Sequence, residues 1–126
     1  MDTVLIVLAD AEIRHGLQTS LQALTGLRVI AAQDEKTGLE RLAGEALDLL
    51  ITELKFAQGD GLALIAFLSV NRPDTPRVVL TERPLPGGAR RREGLYCLAM
   101  PFESFQLAAV GLRAVTRRGK EAGLTL

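Results

Sequence analysis

The chain has 126 residues, 48% of them apolar and 24% charged, the composition of one ordinary globular domain and not of a disordered segment. Fifteen Lys and Arg balance fifteen Asp and Glu, and a neutral total argues against a protein whose main partner is a nucleic-acid backbone. One cysteine excludes an internal disulfide, one histidine excludes a metal site built on His and Cys clusters, and no apolar run approaches the ~20 residues of a membrane span. A cytoplasmic protein with no membrane partner is the expectation, and a net charge near zero favours self-association. The neutral sum conceals a split, with ten acids and five bases in residues 1–60 and five acids and ten bases in residues 61–126.

Residues 4–9 form a continuous, β-branched apolar run, which predicts a strand buried on both faces. Ala11–Thr25 follows with Ile13, Leu17, Leu21 and Leu24 at helical spacing, Asp10 as its N-cap and Gly26 as its stop. Arg28–Ala32 is a second strand, and Asp34 caps a helix through about residue 42 with Leu39 and Leu42 inward. Residues 47–54 make a third strand. Asp60-Gly61 then opens a helix over 62–70 with Leu62, Ile65 and Leu68 at helical spacing, which the stretch Asn71-Arg72-Pro73-Asp74-Thr75-Pro76 ends. Arg77–Thr81 and Leu95–Ala99 are strands four and five, and a last helix runs from Ser104 to about Arg118. Between strands four and five, Pro84, Pro86, Gly87 and Gly88 leave room for at most two helical turns, at about residues 89–94. Strands alternating with helices imply a parallel sheet covered on both faces.

Such sheets bind ligands at the carboxyl ends of their strands. At those ends, and over roughly residues 3–118, the chain resembles the response-regulator receiver domain. The resemblance rests on four stretches in order: residues 4–14; residues 48–68, from Asp48-Leu49-Leu50-Ile51-Thr52-Glu53-Leu54 through Asp60-Gly61-Leu62; Pro73-Asp74-Thr75-Pro76 before a strand ending in Thr81; and residues 98–107, where Met100-Pro101-Phe102 stands at the family's Lys-Pro-Phe. It implies a flavodoxin-like, doubly wound five-stranded sheet in the order 2-1-3-4-5, with the fourth helix short or irregular. The receiver-like domain is set at residues 1–120, and 121–126 are a tail or the start of a linker.

The family transfers a phosphoryl group from a histidine kinase to an aspartate, using two acids for Mg²⁺, a Thr or Ser, and a Lys. Matched residue by residue, the acidic pair falls on Leu8 and Ala9, the nucleophile on Glu53 and the Lys on Met100, and only Thr81 is retained. The family's switch aromatic falls on Cys97, with Tyr96 one residue early, and the Pro four residues after the nucleophile is Ala57. Mg²⁺ wants several carboxylate oxygens in octahedral geometry, so no cofactor is expected and the site reads as degenerate, a pseudo-receiver and not an enzyme. Leu8 and Met100 are expected to fill the former pocket, with Glu53 a partly solvated acid pairing with Lys55 or an arginine. The alternatives are a divergent phosphoacceptor still switched by a kinase, and a constitutively active form in which Glu53 mimics the phosphorylated state.

Cys97 reads as core and His15 as a surface residue, and Gly87-Gly88 lacks the context of a phosphate loop. The last helix is apolar on more than one stripe, so Phe105, Leu107, Val110 and Ala114, with Arg90, Arg91 and Arg92, are the expected interaction face. The resemblance implies a protein partner or attached output domain, and a homodimer through the last helix and strand five. Nucleic acid is not expected as a partner of this domain alone.

Overall fold

The computed structural model of the chain describes residues 3–53, 62–81, 95–99 and 103–119. The elements run β1 (Thr3–Val7), α1 (Ala11–Thr25), β2 (Arg28–Ala32), α2 (Glu35–Gly44), β3 (Leu49–Glu53), α3 (Leu62–Asn71), β4 (Arg77–Thr81), β5 (Leu95–Ala99) and α4 (Ser104–Gly119). The strands form one sheet in the order β2-β1-β3-β4-β5, and every neighbouring pair is parallel. This is the flavodoxin-like arrangement expected from the strand and helix alternation and from the resemblance. The short helix expected near 89–94 and the tail at 121–126 lie outside the described residues.

Strand side chains alternate between two faces, and the core divides accordingly. Val4, Ile6 and Leu8 of the first strand run join Leu49, Ile51, Val78, Leu80 and Tyr96 against Leu17 and Leu21 of α1 and Leu107, Ala108 and Ala114 of α4. Leu5, Val7 and Leu50 face the other way, onto Leu42 of α2 and Leu64 and Leu68 of α3. All five residues of β1 and all five of β4 are buried, as a sheet covered on both faces requires.

The helix boundaries follow local chemistry. Asp10 caps α1 by accepting from the Ile13 amide at 2.9 Å, and Asp34 caps α2 by accepting from the Thr37 amide at 2.8 Å. The Asp34 carboxyl is thereby held below its ordinary pKa, the Thr37 amide bond being the largest cause. Gly26 ends α1 with φ of 71°, a left-handed conformation that favours glycine, and its N–H returns to the Gln22 carbonyl.

The amino-terminal edge of the sheet is tied by side chains. The Thr3 amide donates to Asp48 Oδ2 at 2.8 Å, and the Asp48 amide donates to the Thr3 carbonyl at 2.8 Å. Arg77, 7% exposed, donates to the carbonyls of Thr75 and Pro73 and to Ser69 Oγ, and burial pulls its guanidinium below the usual value. Arg72 reaches across to the Glu45 carbonyl at 2.6 Å, joining the end of α3 to the end of α2.

Three helix faces differ from the sequence expectation. Only Leu17 and Leu21 of the α1 stripe are buried, while Ile13 and Leu24 are about half exposed. A 15-residue helix is about 22 Å long and a five-residue strand about 17 Å, so the end turns of α1 overhang the sheet. In α3, Leu64 and Leu68 turn inward, while Leu62 is exposed and Ile65 only half-buried, because a helix apolar all round gives no phase to read. The third correction concerns α4. Leu107 and Ala114, expected to face outward, are 0% and 1% exposed, and Val110 packs partly against the same core. The inward stripe of α4 is Leu107, Ala108, Gly111 and Ala114, and the exposed side carries Gln106, Ala109, Leu112, Arg113 and Thr116.

Candidate functional site

The carboxyl ends of β1, β3 and β4 stand side by side. Val7 pairs with Thr52, so Leu8 and Glu53 lie level one step beyond, and Glu53 in turn pairs with Leu80, beside Thr81. In this register Leu8 and Ala9 directly follow β1, and Asp10 is one residue further on, its carboxylate accepting from the Ile13 amide at the α1 cap.

Leu8 is 3% exposed and belongs to the core beneath α1 and α4, its amide continuing the ladder to the Ala32 carbonyl at 3.1 Å. Ala9 is exposed, and its amide donates to Glu53 Oε1 at 2.9 Å, across from the neighbouring strand. Glu53 is half-buried, and its main chain is steadied by the Thr52 hydroxyl donating to the Glu53 carbonyl. Arg14, in the first turn of α1, folds back so that one guanidinium nitrogen donates to the Leu8 carbonyl at 2.7 Å and to the Ala9 carbonyl at 3.2 Å. The amide at the end of β1 is thus held by an acid from β3, and two carbonyls there are held by an arginine from α1. The expected partner of Glu53 was Lys55 or an arginine; among the described residues it meets the Ala9 amide, and Lys55 lies outside them.

Thr81 is 5% exposed, and its buried hydroxyl finds no hydrogen-bond partner among the described residues. Tyr96 pairs with Val78 and is 7% exposed within the core, so it serves packing. The backbone of Cys97 pairs with Val79, while its side chain, like that of Phe105, lies outside what is described. Met100, Lys55, Ala57 and Arg90, Arg91 and Arg92 also lie outside the described residues. Among the described residues no group of three or more His, Cys, Asp or Glu side chains is placed to hold a metal, and no helix is long and apolar enough to cross a membrane.

Sequence reasoning missed Arg14 as a part of this site. The signal was present: an arginine four residues past an N-cap stands one turn above the strand end that the cap follows.

The comparisons with known proteins bear on this geometry. The family model described as response regulator receiver domain matches residues 4–87, and the chain belongs to that family. Over 77 residues it is 32% identical to the response regulator protein PilR of Pseudomonas aeruginosa, a match covering 61% of this chain and 17% of that protein's length. The fold superimposes on a response regulator receiver protein from Sinorhizobium medicae with a TM-score of 0.83 at 23% identity, covering 93% of this chain and 96% of that one. It matches a CheY-like receiver domain protein from Methanospirillum hungatei equally well, with a TM-score of 0.83 at 19% identity and coverage of 96% and 98%.

Proposed function

We propose that this receiver domain acts without phosphorylation at the strand-end site, as a protein-interaction module in two-component signalling. One observation carries the reading: the place of the acidic pair is held by Leu8 and Ala9, whose carbonyls are occupied by Arg14, while Glu53 is bound to the Ala9 amide. Mg²⁺ binds through carboxylates in near-octahedral geometry. Here the donor set offers one described carboxylate, already engaged, beside a fixed guanidinium cation, and it does not fit the ion. No phosphoryl-transfer step is drawn through a metal for that reason.

The same bond weighs on the mimic reading. An acyl phosphate carries more charge than a carboxylate and three acceptor oxygens, whereas one oxygen of Glu53 closes a cross-strand amide contact. Glu53 then acts as a structural clasp. The partners are a kinase or an output domain; a protein such as PilR is nearly six times longer than the aligned stretch, so its activity as a whole is not carried over.

The test is incubation with acetyl phosphate or phosphoramidate and Mg²⁺, followed by intact-mass measurement and peptide mapping. The expected result is no phosphoryl gain on Glu53. A stoichiometric gain mapping to Glu53 overturns the reading.

A further inference from the structure

Among the described strands, β2 ends the sheet on one side. An end strand presents main-chain groups that can pair with another strand, and a chain of zero net charge has no long-range repulsion to keep its copies apart. The pairing with β1 fixes where those groups point. The Leu8 amide donates to the Ala32 carbonyl, and main-chain groups alternate in direction along a strand. Arg28, Ile30 and Ala32 therefore direct theirs towards β1, while Val29 and Ala31 direct theirs away from it.

Both outward groups of Val29 are engaged, and by side chains of α1. Gln18 Nε2 donates to the Val29 carbonyl at 2.9 Å, and the Val29 amide donates to Gln22 Oε1 at 3.4 Å. One step before the strand, the Leu27 amide donates to the Thr25 hydroxyl at 3.1 Å, and that hydroxyl donates in turn to the Leu21 carbonyl at 2.5 Å. Gln18, Gln22 and Thr25 stand at i, i+4 and i+7, so they form one polar stripe along α1, next to the buried Leu17 and Leu21. A strand added in a ladder bonds a residue through its N–H and its C=O together. The two glutamines supply the same pair, one offering an amide donor and the other an amide acceptor. We infer that the Gln18–Gln22–Thr25 stripe is a seal on the edge of β2, holding the main-chain groups at which a strand of a second copy would add and so stopping the sheet from extending on that side. The inference stands apart from the chemistry at Glu53, because nothing in it depends on whether that residue is phosphorylated.

Sedimentation velocity from about 10 μM to about 1 mM compares the natural 126-residue chain with Gln18→Ala/Gln22→Ala, with circular dichroism to establish that each is folded. The double variant is expected to associate at a concentration at least about tenfold below that of the natural chain. Adding Ala31→Pro removes an N–H that points away from β1 and leaves the β1 ladder whole, and it is expected to restore the natural behaviour. Gln18→Ala alone breaks only the 2.9 Å bond, at a half-buried side chain that the fold tolerates losing, and is expected to shift association in the same direction by less. Thr19→Ala, at an exposed position of α1, is expected to change nothing. Folded glutamine variants that associate no more readily than the natural chain overturn the inference. So does association that persists when Ala31→Pro is added, or that Thr19→Ala produces equally.

Discussion

Replacing Leu107 by Ala separates the two possible phases of α4. On an outward face the change would cost a few tenths of a kcal/mol, as exposed substitutions do. In the structure Leu107 is 0% exposed and sits between the sheet and α4 beside Ala108, Gly111 and Ala114. Burial of a leucine side chain supplies about 2 kcal/mol in transfer terms, and the cavity left on truncation adds to that. Its helix neighbours are already small and cannot lean far into the space, so the cost belongs in the middle of the Leu→Ala range, about 3–4 kcal/mol. For a domain of this size that corresponds to a fall in Tm of roughly 10–15 °C. Urea unfolding followed by circular dichroism reads the value directly, with Leu112→Ala, at a 39% exposed position on the same helix, as the control costing under about 1 kcal/mol. Equal losses for the two variants, or a larger loss for Leu112→Ala, would refute the assigned phase.

Other consequences are open to the same measurement. Gly16→Ala should stabilise by about 0.5–1 kcal/mol, since a Cβ there meets nothing within 4 Å and helix propensity rises. Gly38→Ala should destabilise by about 1–2 kcal/mol, because its Cβ would stand 3.1 Å from both Leu64 Cδ2 and Val7 Cγ2, two fully buried side chains, and the overlap exceeds the propensity gain. Arg77→Met should cost about 3 kcal/mol by stripping donors from the Thr75 and Pro73 carbonyls and from Ser69 Oγ. Glu53→Ala should lower stability by about 1 kcal/mol, with Glu53→Gln intermediate because it keeps an acceptor for the Ala9 amide but loses the charge. Asp34 is a depressed carboxylate, so its stabilising effect is present above its unfolded pKa and is lost as pH falls through the lower folded value. The stability difference between wild type and Asp34→Asn should be flat above about pH 5 and shrink below the ordinary 3.8.

The order of strands and helices was legible because its signals are local: apolar runs bounded by Asp10, Gly26 and Asp34 mark element ends through single hydrogen bonds. Helix phase was less so. Leu17 and Leu21 are flanked by Ile13 and Leu24 at the same spacing, and only the length of the sheet beneath decides which of the four are covered. In α3 and α4 apolar residues surround so much of the helix that a partner surface, not the pattern, selects the buried stripe. At the site, the identities of residues 8, 9 and 53 were readable, since they follow from register. The bond Glu53 makes was not, because a main-chain amide attracts a side chain without leaving any mark in the residue type it belongs to, and the bonds of Arg14 were marked only by its spacing from the Asp10 cap.

The corner built by Arg77 has a bearing on conditions of use. Its hydrogen-bond acceptors are two carbonyls and a hydroxyl, none of which titrates over the ordinary pH range, and its guanidinium stays charged. Added salt screens exposed ion pairs such as Arg28 with Glu45, but it has little purchase on a buried cation held by neutral oxygens. The joint between α3 and β4 therefore keeps one geometry across buffers that would rearrange a surface salt-bridge network.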